Sequence, residues 1–218
     1  MKILIAIPCA DKIDTLFASC LINLRHRNIL IGIEFLENSL VYDARNQLVN
    51  KAIDDEYDRI LWVDSDMVFS YDMLERLSAR LDEGAEYVSA LAFTRRTPYR
   101  PAIYSEITEA EHEGKKYPIV KPMEDYPENS FFEIKGSGFG CVMTSVDLCR
   151  KVRDEYSLPF SPRLGFGEDV TFCIECGELC AKMYCDSSIK VGHISRYAIT
   201  EETYRRARNA VQHNNPSV

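Results

Sequence analysis

The sequence predicts an α/β fold in which helices flank an open, mainly parallel sheet within a single domain. The 218-residue chain is long enough for one well-packed domain and too short for two of ordinary size. Apolar strand-like runs alternate with segments of helical periodicity, as in successive βαβ units. The first run, Lys2–Ile7, is nearly continuous and β-branched, which is typical of a strand buried on both faces of a parallel sheet.

The other elements are predicted in order along the chain. Apolar residues at helical spacing predict helices over Lys12–His26, over Asp43–Ile53, and from the N-cap Ser70 to a stop at Gly84. Strands are predicted over 28–35, 59–63 and 87–93. Further along, we expect strand-like segments over 131–144 around the flexible Gly136–Gly140, a helix over 145–156, and a helix that begins at Glu168-Asp169.

Residues 105–128 differ in composition from the rest of the chain. They carry seven acidic and three basic side chains together with Pro118, Pro122 and Pro127. This pattern predicts an excursion over the surface that can include a short hairpin. We therefore expect one domain over residues 1–200, with this excursion, and a helical C-terminal tail over 201–218.

The overall charge excludes some classes of function. The chain has 26 basic and 34 acidic residues, a net charge of −8, which disfavours a partner held mainly through its phosphates. No apolar run approaches the roughly 18–20 residues of a membrane-spanning helix. The apolar stretch Ile3–Ile7 is shorter than the ~7 residues of a secretion signal. A cytoplasmic location is therefore expected.

The eight cysteines leave two interpretations open. Cys173, Cys176, Cys180 and Cys185 are spaced closely enough to suggest zinc ligands, and hence a non-enzymatic, zinc-stabilised binding module. Cys173 also fits an apolar helix stripe with Val170, where it would act as a small hydrophobe. The second interpretation is favoured because only one Cys-x-x-Cys pair is present.

The segment with the clearest chemistry is Asp64-Ser65-Asp66, which directly follows the apolar run 60–63. Ligands of open α/β sheets collect beyond the carboxyl ends of the strands. Two carboxylates at such an end can bind a divalent cation and a ribose together, and oxygen ligands of this kind suit Mg²⁺ or Mn²⁺.

Two later segments add acid–base and metal-binding candidates. Glu168 and Asp169 follow Gly165-Phe166-Gly167, which leaves space for a substrate, so that one carboxylate can act as a general base. Acidic residues also stabilise the first turn of any helix, so this position alone does not establish catalysis. His193 follows Gly192 at the end of a short strand, which suits a third metal ligand.

Together these segments resemble the GT-A glycosyltransferases, especially the family 2-like group. The resemblance covers roughly residues 2–195. It is carried by Ile5-Ala6-Ile7-Pro8, Ala44-Arg45-Asn46, Asp64-Ser65-Asp66, Gly167-Glu168-Asp169 and His193. It implies a GT-A (Rossmann-like) fold and a hexosyl- or pentosyltransferase that uses a nucleoside-diphosphate sugar, a UDP-sugar above others, with Mn²⁺ or Mg²⁺.

The resemblance also implies roles for individual residues. It assigns Pro8, Arg45, Asp64 and Ser65 to the nucleotide pocket, and Asp64, Asp66 and His193 to the metal. Asp169, or its neighbour Glu168, would be the base of an inverting reaction. One departure concerns the end of the second strand, where Glu34, Glu37 and Asn38 all compete for the acidic position that often closes it, so the donor base is unassigned.

Two questions stay open. A nucleotidyltransferase of similar architecture would use the same metal chemistry, although Pro8–Lys12 lacks the Gly-rich, basic phosphate loop expected after its first strand. The acceptor can be a glycan, a small molecule or a modified nucleic-acid base. Arg95, Arg96 and Arg100, with Tyr99, form a small basic and aromatic patch that either contacts such an acceptor or faces the diphosphate or solvent.

Overall fold

The computed structural model describes residues 1–25, 27–95, 97–112, 115–163, 165–195 and 198–213. Its helices are α1 (Thr15–Ile22), α2 (Val41–Asp54), α3 (Met73–Asp82), α4 (Val146–Tyr156), α5 (Glu168–Glu178) and α6 (Glu201–His213). Its strands are β1 (Lys2–Pro8), β2 (Leu30–Leu36), β3 (Arg59–Val63), β4 (Met67–Val68), β5 (Tyr87–Leu91), β6 (Ile103–His112), β7 (Lys115–Pro122), β8 (Phe131–Ile134), β9 (Gly136–Ser137), β10 (Cys141–Ser145), β11 (Met183–Lys190), β12 (Gly192–Ile194) and β13 (Ala198–Ile199).

The main sheet has seven strands in the order β2-β1-β3-β10-β5-β11-β8. Strands β2, β1, β3, β5 and β11 run in one direction, whereas β10 and the edge strand β8 run in the opposite direction. The sheet is therefore mainly parallel, as predicted. The antiparallel β10 in its centre was not expected. It begins at the edge where β3 and β5 end, so that Gly140 adjoins the candidate site.

Both faces of this sheet are covered by helices. Helices α2, α4 and α5 contribute to the apolar cluster on one face, and α1 and α3 contribute to the cluster on the other. Trp62 of β3 lies at the centre of the first cluster, with its ring 5.1 Å from that of Phe160 and its indole Nε1 donating to Thr144 Oγ1 at 3.0 Å. Burial of apolar side chains on both faces holds the strand ends in fixed positions relative to one another.

The first helix is shorter than predicted. Asp14 is its N-cap and accepts a hydrogen bond from the backbone N–H of Leu16 at 2.7 Å. At the other end, Asn23 Nδ2 donates to the carbonyl of Ser19 at 2.8 Å, which satisfies one of the last helical carbonyls. These local side-chain bonds set the ends of α1 inside the predicted range, whose last residue, His26, lies outside the described residues.

The start of the third helix also differs from the prediction. Ser70 is not its N-cap, because the Ser70 hydroxyl donates to Asp72 Oδ1 at 2.5 Å and Asp72 itself occupies the N-cap position. Gly84 follows the helix with φ of +100°, a conformation that favours glycine. The stop at Gly84 is thus confirmed, and the start lies two residues later than predicted.

Two smaller sheets extend the central one. Strands β13, β12 and β4 form a three-stranded sheet next to the end of β3, and β7, β6 and β9 form another. The β6–β7 hairpin begins at Ile103, two residues before the acidic excursion predicted over 105–128, and ends at Pro122 inside it. In the C-terminal segment, Tyr204 of α6 is buried and stacks on Phe93 with ring centroids 4.6 Å apart, while residues 214–218 lie outside the described residues.

None of the helices among the described residues has the length and apolar character that crossing a bilayer requires.

Candidate functional site

The carboxylates Asp64 and Asp66 lie in a turn between β3 and β4. The backbone N–H of Asp64 donates to the carbonyl of Gly140 at 3.1 Å, and that of Met67 donates to the carbonyl of Asp64 at 3.2 Å. The apolar residues 60–63 are fully buried in β3, whereas both aspartates are partly exposed. The turn thus presents two carboxylates from a rigid strand end.

The small β4–β12 sheet brings His193 beside Asp66. The N–H of Ile194 donates to the carbonyl of Asp66 at 2.7 Å, and His193 pairs with Met67 across the two strands. As a result, His193 Nε2 lies 3.4 Å from Asp66 Oδ1. Asp66 and His193 are 127 residues apart in the sequence. Backbone pairing between β4 and β12 brings them together.

The other ring nitrogen of His193 fixes its hydrogen-bonding pattern. Nδ1 lies 3.0 Å from the carbonyl oxygen of Phe93, which can only accept, so Nδ1 carries a proton. In the neutral ring, Nε2 is then an acceptor that faces the carboxylate of Asp66, which is also an acceptor. Such a pair requires a proton or a cation between the two atoms, and a backbone carbonyl behind the distal nitrogen is usual for metal-binding histidines.

Arg45 of α2 connects the two acidic motifs. Its Nη2 donates to Asp64 Oδ1 at 3.0 Å and its Nη1 donates to Glu168 Oε1. The side chain is only 4% exposed, and its guanidinium carbon lies 5.1 Å from the ring centroid of Phe139. Among the residues that the structure describes, no hydrogen-bond partner is present for its buried Nε atom. The guanidinium therefore forms ion pairs with Asp64 and Glu168. The predicted nucleotide contact of Arg45 stays a prediction.

The electrostatics of these carboxylates follow from burial and from Arg45. Burial raises the pKa of Asp64, and the attraction of Arg45 opposes this effect without cancelling it. Burial likewise raises the pKa of Glu168, again against the opposing attraction of Arg45. Both carboxylates thus depend on one buried guanidinium for their charged state.

Glu168 and Asp169 begin α5, but their side chains have different surroundings. Glu168 is bound to Arg45, whereas Asp169 Oδ1 accepts from the N–H of Val170 at 2.8 Å. Asp169 Oδ2 faces Gly138, since a Cβ atom built on that glycine would lie 3.7 Å from it and 3.8 Å from the hydroxyl of Tyr104. Between Gly138, Asp169 and Tyr104 there is consequently room for an additional atom.

Arg95 is a further basic residue at the site. It follows β5, and its Nη1 donates to Asp66 Oδ2 at 2.5 Å while its side chain is 55% exposed. Burial alone would raise the pKa of Asp66, but the hydrogen bond and charge that His193 supplies when its ring is protonated, and the charge of Arg95, lower it. Asp66 is therefore held between an imidazole and a guanidinium.

Of the three predicted metal ligands, the structure brings Asp66 and His193 together, whereas Asp64 is paired with Arg45. Across the described residues, no three His, Cys, Asp or Glu side chains form a group that could hold a metal ion. Pro8 is buried at the end of β1 and Ser65 is half-buried in the turn after β3, and their predicted nucleotide contacts stay predictions.

The four clustered cysteines have different environments. Cys173, Cys176 and Cys185 are buried, whereas Cys180 is exposed. Cys173 Sγ lies 3.6 Å from the hydroxyl of Tyr87 and packs in the core as a small hydrophobe. Burial raises the pKa of Cys173 to about 12, which disfavours the thiolate that zinc would bind. This geometry argues against the zinc-stabilised module.

Sequence reasoning missed two residues of this region. Phe139, whose ring lies beneath Arg45, was seen only as part of a flexible glycine segment. Tyr104 lies beside Asp169, but it directly precedes the acidic excursion over 105–128 and no sequence signal distinguishes it; burial and the charge of Asp169 both raise its pKa. Arg95 had been noted within the basic patch, but its contact with Asp66 had not, and Arg96 lies outside the described residues.

Comparison with known proteins identifies the class of fold. No protein-family model matches the chain, and no curated protein matches it. Among solved structures, A197 from STIV is similar with a TM-score of 0.59 and 19% identity over 89% of this chain and 86% of that one. A structure of GalNAc-T7 with UDP, GalNAc and Mn²⁺ is similar with a TM-score of 0.59 and 11% identity over 96% of this chain and 47% of that one.

These similarities show a GT-A-like fold, as the sequence predicts. GalNAc-T7 is a GT-A glycosyltransferase, and this chain spans about half of its length. At such low identity the comparisons establish the fold alone.

Proposed function

We propose that the protein is a glycosyltransferase that moves a sugar from a nucleoside-diphosphate sugar, with a UDP-sugar as the favoured donor, to an acceptor hydroxyl. One observation carries the proposal: Asp64 and Glu168, members of two acidic motifs far apart in the sequence, share the buried guanidinium of Arg45. The motifs therefore act at one site. The GT-A-like fold, and the UDP and Mn²⁺ bound by GalNAc-T7, support the same proposal.

The residues present fit a divalent cation, Mn²⁺ or Mg²⁺. Asp66 and His193 would hold it, because Nε2 of the neutral His193 ring and Asp66 Oδ1 face each other as two acceptors 3.4 Å apart. When bound, the cation acts as a Lewis acid that stabilises the negative charge of the leaving diphosphate. Because Mg²⁺ and Mn²⁺ commonly take most of their ligands from water and phosphate oxygens, two protein ligands are sufficient.

Asp169 is the proposed general base. The acceptor oxygen bonds to the anomeric carbon as the bond between that carbon and the diphosphate oxygen breaks, and the acceptor proton passes to Asp169. Glu168 is engaged by Arg45, whereas Asp169 Oδ2 faces the space beside Gly138. Attack from the side opposite the diphosphate inverts the anomeric configuration.

A screen of nucleotide sugars tests the proposal. The purified chain is incubated with UDP- and GDP-sugars with and without Mn²⁺, and release of the nucleoside diphosphate is measured. We expect hydrolysis or transfer with at least one donor, dependent on Mn²⁺ and strongly reduced in Asp66→Asn. His193→Ala should need more Mn²⁺ for the same rate while remaining folded.

Two outcomes would contradict the proposal. Calorimetry can be carried out with UDP, GDP, UDP-sugars and GDP-sugars. If none of them binds, nucleotide sugars are excluded as donors. Release of pyrophosphate from a nucleoside triphosphate and a sugar phosphate would instead identify the nucleotidyltransferase alternative.

A further inference from the structure

Strand β2 forms one edge of the seven-stranded sheet, and the backbone groups of three of its seven residues face outward. The N–H of Leu30 donates to Met1 and the carbonyl of Leu36 accepts from Cys9, so the even-numbered residues of β2 point their backbone groups toward β1. Neighbouring residues of a strand point their backbone groups in opposite directions. The N–H and C=O groups of Ile31, Ile33 and Phe35 therefore face the open edge. Among the described residues, no hydrogen-bond partner is found for them.

The side chains around this edge are unusually apolar for a surface. Ile33 is 47% and Phe35 37% exposed, and both lie on the same face of the sheet as Ile31 because they alternate along the strand. Nine of the thirteen exposed large apolar side chains of the described residues precede residue 42. Three of these nine, Leu30, Ile33 and Phe35, lie on β2 itself, and the other six lie in the segments that precede or follow β2 in the sequence.

Edge strands usually carry features that prevent pairing, such as proline, lysine or a bulge. Strand β2, with the sequence LIGIEFL, has none of these, and its pairing with β1 is regular over all seven residues. Its single charge, Glu34, has a basic neighbour in Lys51, with Nζ 3.7 Å from Oε2. The strand is therefore a suitable template for another strand.

We propose that β2 pairs antiparallel with β2 of a second copy of this chain, about a two-fold axis through Ile33. In this register Ile33 lies opposite Ile33 of the second copy, and Ile31 lies opposite Phe35. All three residues with outward backbone groups then form hydrogen-bonded pairs, and each such pair exchanges two bonds. The two sheets join into one continuous sheet.

The charges of the strand select this register among the neighbouring ones. An axis through Glu34 would set two glutamates directly opposite each other, which is destabilising. An axis through Gly32 leaves Phe35 opposite a residue beyond the end of the strand. With the axis through Ile33, Glu34 lies opposite Gly32 of the second copy, so the like charges are not in direct opposition.

A stable dimer would need apolar surface beyond the paired strands. A standard interface buries about 800 Å² per partner, and strand pairing alone supplies only part of that area. Helix α1 lies on the same face as Ile33, because Phe17 packs in the cluster of Ile3, Ile5 and Ile7 that continues onto Ile31. Its Leu16 and Ile22 are 55% and 83% exposed. Because the pairing uses the one edge that β2 forms, assembly stops at two copies.

Sedimentation equilibrium and light scattering of the full chain test this proposal. We expect a dimer for the wild type and a monomer for Ile33→Pro. Proline at position 33 removes an outward N–H and leaves the bonds to β1 intact, which is why edge strands tolerate it. Leu158→Lys, at an equally exposed leucine after α4, should remain dimeric. If circular dichroism shows that Ile33→Pro is unfolded, Ile33→Lys takes its place.

Amide hydrogen exchange tests the register. The amides of Ile31 and Phe35 should be protected in the dimer and should exchange rapidly in the monomeric variant, whereas that of Gly32 should be protected in both. A wild-type monomer at all concentrations, a dimer that survives Ile33→Pro and Ile33→Lys, or assemblies larger than two copies would overturn the proposal.

Discussion

Arg45 donates to Asp64 at 3.0 Å and directs its second nitrogen to Glu168, so that one buried cation neutralises two carboxylates from separate motifs. Because Nε has no partner in the described part of the chain, the guanidinium is held there by these two contacts and by the rings of Phe139 and Phe160. The geometry of the site therefore depends on a residue of α2 that the sequence resemblance assigns to the nucleotide pocket and not to the two acidic motifs.

Substitution of Arg45 tests this dependence. Arg45→Met leaves two partly buried carboxylates without their buried counter-ion, and we expect the free energy of unfolding to fall by about 3 kcal/mol. Arg206→Met removes an exposed ion pair with Glu202 and should cost less than about 1 kcal/mol. Urea denaturation at neutral pH measures both. Equal losses in the two variants would show that Arg45 has no special role in stability.

Asp169→Asn tests the chemical step. Removal of a positioned general base costs about 10²- to 10⁴-fold in rate, so turnover should fall by that factor. Affinity for UDP should stay nearly unchanged, because Asp169 faces the space beside Gly138 rather than the Asp66–His193 pair. A large loss of turnover in Glu168→Gln, with little loss in Asp169→Asn, would show that Glu168 is the general base. Retention of anomeric configuration, detected by NMR, would exclude the base-assisted inversion.

Asp66→Asn tests the proposed cation site. Loss of a charged ligand should weaken binding of UDP in the presence of Mn²⁺ by at least about tenfold. Ser65→Ala, in the same turn, removes no charge and should have little effect. Calorimetry with UDP measures both variants. If the wild type binds UDP equally well in EDTA, the cation has no part in nucleotide binding.

Arg95→Ala tests competition for Asp66. Arg95 and a bound cation both require the Asp66 carboxylate, so removal of the guanidinium should strengthen binding of Mn²⁺ alone by about two- to fivefold, which is the scale of a half-exposed ion pair. Arg100→Ala is the matched control, since Arg100 of the same loop pairs with Glu124 instead. Titration with Mn²⁺ in the absence of nucleotide measures the effect. Unchanged or weaker binding in Arg95→Ala would contradict competition.

Glu175 of α5 predicts a pH dependence of stability. Burial raises its pKa to about 7, although Arg163 Nη1 lies 3.3 Å from Glu175 Oε1 and opposes the shift. Its Oε2 atom has no hydrogen-bond partner among the described residues. Since the unfolded chain releases this proton at lower pH, stability should decrease as the pH rises from the unfolded pKa toward 7 and level off above it.

The size of this effect can be measured with Glu175→Gln. The variant should remove the decline, which amounts to about 3 kcal/mol at most. Glu155→Gln, an exposed carboxyl on α4, is the control and should keep the wild-type profile. Denaturation midpoints of the three proteins are measured between pH 4 and pH 8. If the decline in stability persists in Glu175→Gln, other titratable groups cause it.

Strand and helix alternation was predictable from periodicity, because residues such as those of β1 and β3 are buried on both faces and leave a clear apolar pattern. The Asp64-Ser65-Asp66 turn was predictable for the same reason, since polar residues directly follow a buried strand. The direction of β10 was not, because its short apolar run is compatible with either orientation. Only its neighbours, β3 and β5, determine how it pairs.

The contacts within the site were harder to predict than its members. Arg45 and Glu168 are 123 positions apart, and no local pattern encodes their contact. The proximity of His193 to Asp66 arises from pairing between β4, of two residues, and β12, of three, which are too short to give a periodic signal. Tertiary packing, rather than local propensity, brings these side chains together.

The central position of β10 has a consequence for the way the protein folds. The strand joins β3 to β5, yet it is supplied by residues 141–145, after both of its neighbours have been synthesised. Until β10 emerges from the ribosome, the edge of β3 that β10 later occupies has no partner strand. Such non-local pairing carries a high loop-closure cost and slows folding. The N-terminal half of the chain thus depends on a late segment, so a fragment ending before residue 141 should stay largely unfolded and bind no nucleotide.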